Sequence, residues 1–105
     1  MKINIKELCG KKIVTRDDGE RLNKILSGKW DSEKTFEIDF NNILVASVSF
    51  MDEAFGKLAT QHTKEDLQKK LKLKNILEYD RALLNDILSS RFRQKDLEKH
   101  ELSKK

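Results

Sequence analysis

The residues best suited to chemistry lie in one short segment, residues 47–53, where two serines precede two acidic side chains. Apolar residues at helical spacing follow over residues 51–58, which predicts that a helix begins within this segment. A serine at a helix start can cap it, because its hydroxyl accepts a hydrogen bond from an unpaired backbone amide. The same hydroxyl can accept a phosphoryl group, since free amides and the positive end of the helix dipole favour an anion there. The sequence therefore predicts Ser49 as the N-cap, with Asp52 in the capping-box position. It also makes Ser49 a candidate phosphoacceptor, with Ser47 as the second candidate.

Two pairs of adjacent carboxylates, Asp17-Asp18 and Asp52-Glu53, are the other groups that suggest acid–base chemistry. Neighbouring residues on a helix point about 100° apart, so neither pair converges on one substrate atom. Both pairs lie at predicted helix starts, where negative side chains complement the positive end of the helix dipole. This structural role accounts for both pairs, and they predict no catalytic function.

Thiol and imidazole groups are too few and too scattered for a metal or nucleophile site. Cys9 has no histidine near it in the sequence, and His62 and His100 stand alone. These spacings match no zinc motif, and a single cysteine cannot form an internal disulfide. The chain also contains no glycine-rich phosphate loop and no nucleophile elbow. We therefore expect no catalytic residue, no metal and no cofactor, and we predict that the protein is not an enzyme.

Length and charge limit the class of protein. The chain has 105 residues, enough for one domain, and 38% of them are charged, against a norm of about 25%. Most of the net charge of +4 belongs to residues 91–105, which carry six basic and three acidic side chains. No segment approaches the roughly 18 apolar residues of a membrane span, and the charged N-terminal residues do not resemble a signal peptide. We expect no membrane association, and the cytoplasm is the expected compartment.

Hydrophobic periodicity predicts alternating strands and helices around the serine-containing segment. The predicted strands lie at residues 2–8, 13–14, 35–40 and 71–76, and the predicted helices at 16–27, at 51–58, from 63 and from 78. Gly19, inside the first of these helices, costs about 1 kcal/mol relative to alanine, and it suggests close backbone packing. The pattern is typical of an α/β fold, a single domain in which a small mixed β-sheet is packed by helices and ends in a long C-terminal helix.

The segment 36–58, FEIDFNNILVASVSFMDEAFGKL, resembles the STAS-like domain family, small bacterial proteins related to anti-sigma-factor antagonists. In both, a strand that ends near an aspartate leads through a short apolar step to serines at a helix start. The stretch from Ser49 to Leu58 is similar to the Ser-Phe-x-Asp-Glu-x-Phe-Gly-x-Leu core of the family. The resemblance covers about residues 3–90. It implies a STAS-like domain in residues 1–93, followed by a charged helical extension or frayed tail in residues 94–105.

This resemblance implies a regulatory module that binds a protein partner and catalyses no reaction. The implied partner is a histidine-kinase-type ATPase that acts as a serine kinase or an anti-sigma factor, and serine phosphorylation would switch the interaction. Where phosphorylated relatives have Asp-Ser-Ser-Gly or Asp-Thr-Ser-Gly, this chain has residues 47–50 as Ser-Val-Ser-Phe. Phe50 lies off the apolar stripe, either as an exposed partner contact or as a core residue on a second face. The predicted partner-binding residues are those of this helix start: Ser47, Val48, Ser49, Phe50, Asp52 and Glu53.

A second interpretation uses the basic residues of the last predicted strand and helix. These residues are Lys69, Lys70, Lys72, Lys74, Arg91, Arg93, Lys95 and Lys99. They are compatible with a nucleic-acid-associated or structural adaptor. Such a function needs a face of one sign, ideally with stacking aromatics, whereas acidic residues interrupt the second cluster. A solvated surface accounts for these residues, so we do not expect nucleic acid as a partner.

Overall fold

The molecule alternates short strands with helices and ends in one long helix. The computed structural model describes the backbone of residues 1–103 and the side chains of residues 1–98. The strands are β1 (Lys2–Asn4), β2 (Ile13–Val14), β3 (Phe36–Asp39), β4 (Val45–Ala46) and β5 (Leu71–Lys74). The helices are α1 (Ile5–Cys9), α2 (Arg16–Gly28), α3 (Val48–Met51), α4 (Lys57–Gln61), α5 (Lys64–Lys70) and α6 (Glu78–Ser103). A π-helical segment, Asp52–Gly56, joins α3 to α4.

The strands form two small sheets, and every strand pair in them is parallel. β3 lies at the centre of the first sheet between β1 and β5, whereas β2 pairs with β4 in the second. The predicted α/β class and the long C-terminal helix are confirmed. In place of the predicted mixed sheet there are two parallel ones, because a connection containing a helix joins each pair of neighbouring strands. Such crossovers produce parallel pairs, whereas antiparallel pairs can be joined by tight hairpins.

The core lies between the central strand and the helices that pack on it. Phe36 and Ile38, two positions apart in β3, point toward the same face of the sheet and are fully buried. The fully buried side chains of the helices include Leu22, Leu26, Phe50, Met51, Phe55 and Leu58. Trp30, just after α2, stacks on Phe36 and on His62, with ring centroids 5.7 and 4.3 Å apart. This packing holds the helical segment 48–61 against α2 and the larger sheet.

The first strand is shorter than predicted. Asn4 ends β1 because its side chain accepts a hydrogen bond from the Glu7 amide at 2.9 Å and caps α1. Gly10 then ends α1 with φ at 71°, in the left-handed region that favours glycine. The alternation over residues 2–8 therefore covers a strand and the start of a short helix. β3 and β5 lie within the strands predicted at 35–40 and 71–76.

The long helix α6 packs on the core through the apolar stripe that its sequence predicts. That stripe, buried or half-buried, consists of Leu83, Leu84, Ile87, Leu88 and Phe92. The helix continues through Ser103, so residues 94–103 of the charged C-terminal segment are helical, whereas residues 104–105 lie outside the described residues. Within the described part of the chain, no helix combines the length and apolar character that crossing a membrane requires.

Gly19 lies at a close approach of α2 to α3. A Cβ atom at this position would lie 2.5 Å from the carbonyl oxygen of Phe50 and 3.0 Å from the Cβ of Glu53. The two backbones therefore pack closer than any residue larger than glycine permits. The close packing that the sequence suggested at Gly19 is confirmed, and it lies beneath the segment that carries the candidate site.

Candidate partner-binding site

Two helices begin side by side at the end of the smaller sheet. β2 and β4 pair in parallel, and the ladder continues where the Ser47 amide donates to the Val14 carbonyl at 3.2 Å. β2 leads through Thr15 into α2, and β4 leads through Ser47 into α3. Because the two strands run in the same direction, the first turns of α2 and α3 lie next to each other. The candidate site is built on these two helix starts.

Ser47, rather than Ser49, is the N-cap of the helical segment. Ser47 is extended, and its Oγ accepts a hydrogen bond from the Phe50 amide at 3.0 Å. Ser49 lies two residues further on, inside the first turn. The prediction that Ser49 caps the helix is wrong, because the helix begins as soon as β4 ends. Its first residue, Val48, is exposed and so falls outside the apolar pattern that was used to place the helix.

Phe50 belongs to the core and not to the partner-binding surface. Its side chain is fully buried and packs edge-on against Phe55, with ring centroids 6.4 Å apart. The prediction that Phe50 contacts a partner is therefore wrong, and the alternative of a core residue on a second face is correct. The reason is the neighbouring helix, since α2 covers this second face and leaves no solvent beside the ring.

The other predicted residues lie at an open groove beside α6. The groove has a volume of about 410 Å³ and is lined by Val48, Ser49, Asp52 and Glu53, with Arg16, Ser90 and Arg91. The Ser49 side chain is half-buried, and its hydroxyl forms no hydrogen bond with another residue in the described part of the chain. The structure therefore brings four of the six predicted residues to one surface, whereas Ser47 supports that surface as the cap.

Arg16, Ser90 and Arg91 belong to this site although the sequence did not reveal them as part of it, and Arg91 makes the strongest contact there. Its Nε donates to Asp52 Oδ1 at 2.9 Å, and its Nη2 to Asp52 Oδ2 at 2.5 Å. The hydrogen bond to Asp52, opposed by partial burial, raises the pKa of the Arg91 guanidinium. Paired donors of this kind fix geometry as well as charge. Arg91 thus fastens α6 to the segment that carries Ser49, through a pair separated by 39 positions in the chain.

Gly56, the last residue of the π segment, leaves room for the Asp52 carboxylate because it has no Cβ atom. A Cβ atom at Gly56 would collide with that carboxylate and lie 3.3 Å from Cγ2 of Ile87 in α6. Glu53 is engaged locally, because its carboxylate pairs with Lys57 one turn later at 2.5 Å. Gly56 therefore lets α6 approach closely while Asp52 reaches Arg91. π segments inside helices often occur at functional sites.

Asp18 organises the neighbouring start of α2. Its carboxylate accepts hydrogen bonds from the backbone amide of Thr15 at 2.9 Å and from the Thr15 hydroxyl at 3.3 Å. Lys11 pairs with the same oxygen at 3.0 Å. Burial acts to raise the pKa of Asp18, but these hydrogen bonds and the Lys11 charge outweigh burial and lower it. The sequence placed this residue at a helix start, and the structure adds the capping box.

Replacement of Asp18 by alanine is expected to lower the free energy of unfolding by about 2 kcal/mol, because a cap and a charged hydrogen bond are lost together. The folded-state pKa lies below the ordinary value of 3.8. The stabilisation by Asp18 is therefore complete above pH 3.8 and disappears as the pH falls through the folded-state pKa.

Urea titrations of the wild type and of Asp18→Ala, at neutral pH and at about pH 2, measure this loss of stability. Asp17→Ala, at an exposed neighbour, is the control and should change little. A gap between wild type and Asp18→Ala that stays constant down to the lowest pH would contradict the assignment.

Several of the basic residues considered for nucleic acid make contacts inside the chain. The amino group of Lys70 donates to the carbonyls of Trp30 and Glu33. Lys74 pairs with Glu37 at 2.5 Å. Lys95 donates to the carbonyls at the end of α4, and Arg91 pairs with Asp52. Lys72 also donates to the Gln68 carbonyl at 3.4 Å. Five of the eight residues are therefore engaged within the fold, while the side chain of Lys99 lies outside the described residues.

Metal chemistry has no support in the described part of the chain. No group of three or more histidine, cysteine, aspartate or glutamate side chains is arranged there to hold a metal ion. Cys9 is half-buried, and burial together with the Asp18 charge raises the pKa of its thiol. A raised pKa disfavours the reactive thiolate at neutral pH.

This fold and site define a class of protein: a small α/β domain that presents a serine at a helix start beside a parallel sheet. The comparison with protein families identifies it: residues 18–81 match the STAS-like domain of unknown function (DUF4325), and the chain belongs to this family. The family predicted from the segment 36–58 is therefore confirmed, and the match includes the whole of that segment. No curated protein and no solved structure matches the chain.

Proposed function

We propose that this domain is a regulatory protein-interaction module that catalyses no reaction, docks a partner protein at the start of α3 and is switched by phosphorylation of Ser49. The observation that carries the proposal is the position of Ser49, which lines the groove while its hydroxyl takes no part in the cap. The cap requires a hydroxyl that accepts a hydrogen bond from the Phe50 amide, and Ser47 provides it. Capping therefore does not account for Ser49. Ser49 is therefore the first candidate phosphoacceptor, and Ser47 is the second because its phosphorylation would disturb the cap.

The charges around Ser49 explain how a phosphoryl group would act there. Phosphorylation adds about −1.5 to −2 charges at neutral pH. Arg16 and Arg91 line the same groove and can pair with the phosphate, whereas Asp52 and Glu53 repel it. A phosphate on Ser49 would compete with Asp52 for Arg91. The modification would thus change the charge of the surface and the attachment of α6, while the core beneath it stays folded.

Membership of the STAS-like family supports the kind of partner. We propose a histidine-kinase-type ATPase that serves as a serine kinase or an anti-sigma factor, so that this domain acts in the manner of an anti-sigma-factor antagonist. Signalling of this kind takes place in the cytoplasm, which is the compartment we propose. A nucleic-acid function has less support, because five of the eight basic residues that would form its footprint are engaged in contacts within the fold.

Incubation with ATP and the candidate kinase is expected to add one phosphate to the wild type, which mass spectrometry locates in the peptide 43–57. Ser49→Ala should abolish the modification with almost no change in stability, because the hydroxyl that it removes makes no hydrogen bond with the described residues. Ser47→Ala is the matched control, which should keep the phosphate although loss of the cap costs about 1 kcal/mol. An unmodified peptide 43–57, in protein that captures its partner fully and releases it normally, would show that phosphorylation is not the switch.

A further inference from the structure

The smaller sheet turns one face into the core and leaves the other apolar and exposed. Val14 and Ala46 point inward and are buried. Their neighbours Ile13 and Val45 are paired directly across the ladder, and they are 55% and 49% exposed. Leu44, immediately before β4, is 66% exposed. Single exposed aliphatic residues are common on protein surfaces, but several of them on paired strands form a patch of the kind found at interaction sites.

Two basic residues, Lys12 and Arg16, adjoin this patch at either end of β2. Lys12 lies beside Leu44, because its carbonyl accepts a hydrogen bond from the Leu44 amide at 2.8 Å. Arg16 follows β2 and lines the Ser49 groove together with Val48, which is also exposed. Lys12 and Arg16 form no ion pair with another residue whose side chain is described, whereas Lys11 next to them is paired with Asp18. Asp17, the neighbour of Arg16, is the acidic residue that follows in the chain.

The charges distinguish between the possible occupants of the patch. A second copy placed symmetrically on this face would bring Lys12 and Arg16 against their own counterparts, and like charges in contact oppose association. A partner with apolar residues ringed by carboxylates would bury the patch and pair both cations. The patch is also continuous along the chain with Val48 of the proposed docking site, only three residues beyond Val45.

We infer that the face formed by Ile13, Leu44 and Val45, bordered by Lys12 and Arg16, docks a partner protein through an apolar surface ringed by aspartate and glutamate. This inference rests on the proposed function and specifies the chemistry of its partner. It extends the partner-binding surface from the first turn of α3 across the smaller sheet. The Ser49 groove and this patch then form the two halves of one interface, of which the patch supplies apolar burial.

Site-directed photocrosslinking in the cells that make the protein tests this inference. Benzoylphenylalanine at position 45 is expected to crosslink to one protein, at a segment that mass spectrometry shows to combine apolar with acidic residues. The same group at position 77 is the matched control, since Leu77 is 58% exposed but lies elsewhere in the chain. Crosslinks from position 45 to a second copy of this chain, to lipid, to a basic segment or to nothing would overturn the inference.

Binding of the purified crosslinked partner supplies the second measurement. Val45→Ser and the double variant Lys12→Glu/Arg16→Glu should each raise the dissociation constant at least about tenfold. Leu77→Ser should leave it unchanged. Circular dichroism confirms that each variant is folded. Unchanged binding by the first two variants would overturn the inference.

A crosslinker at position 49 separates this inference from the proposed function. A partner captured from position 49 but not from position 45 leaves the proposed function standing and overturns the extension to the smaller sheet. Capture at neither position contradicts both.

Discussion

Replacement of Phe50 by alanine is expected to lower the free energy of unfolding by about 3–5 kcal/mol, which is the usual cost of removing a buried aromatic ring. Phe50 is fully buried and packs edge-on against Phe55, and its backbone touches α2 at Gly19. The cavity left by the ring cannot close easily, because the helices on both sides are held by other contacts. A domain of this size is stable by only about 5–15 kcal/mol, so the loss is a large part of the total.

Urea unfolding followed by far-ultraviolet circular dichroism measures this effect, and the fluorescence of Trp30, the single tryptophan, provides a second probe. Val48→Ala is the matched control, because Val48 lies two residues away and is exposed. It should change stability by less than about 0.5 kcal/mol. Equal stabilities for Phe50→Ala and the wild type would contradict the buried position of the ring. A loss of partner binding in Phe50→Ala should accordingly be attributed to unfolding and not to a missing contact.

Replacement of Gly19 by alanine is expected to lower the free energy of unfolding by about 2 kcal/mol, although alanine is the better helix former. Helix propensity alone would raise stability by about 1 kcal/mol. A Cβ atom at this position would lie 2.5 Å from the Phe50 carbonyl oxygen, and a backbone atom cannot rotate away as a side chain can. Relief of the overlap requires α2 and α3 to move apart, and overpacking of this kind typically costs about 1–3 kcal/mol or more.

Gly28→Ala provides the control, because Gly28 is the last residue of the same helix and a methyl group added there would meet no atom within 4 Å. It should raise stability by about 0.5–1 kcal/mol through propensity and reduced freedom of the unfolded chain. Thermal and urea unfolding of both variants therefore give changes of opposite sign. If Gly19→Ala were stabilising as well, α2 and α3 could not be packed as closely as the structure describes.

Local features of the sequence predicted much of the fold. Helical spacing located α2, the Thr63 cap located α5, and the alternation of Phe36 and Ile38 located the central strand. The serine-containing segment also identified the family. These predictions succeeded because each depends on residues close together in the chain, whose periodicity or capping chemistry determines the local structure.

Predictions about the site failed where the deciding contact came from a distant element. Phe50 lies off the stripe of its own helix, and only the approach of α2 shows that a second face is buried. Arg91 was grouped with other basic residues because its partner, Asp52, lies 39 positions earlier. The assignment of the cap to Ser49 failed for a different reason, since an exposed first residue hides the true start of a helix from any apolar pattern.

The parallel pairing of the strands has a consequence for how the chain folds. Each strand contact joins residues 32 to 35 positions apart, and the described residues contain no hairpin that could act as an early nucleus. Loop closure must therefore precede sheet formation, a topology associated with slower folding. The central strand gains its second neighbour only with β5, and the Ser49 groove gains its wall only with α6. A chain still emerging from the ribosome cannot present the complete groove until Arg91 has been synthesised and has reached Asp52.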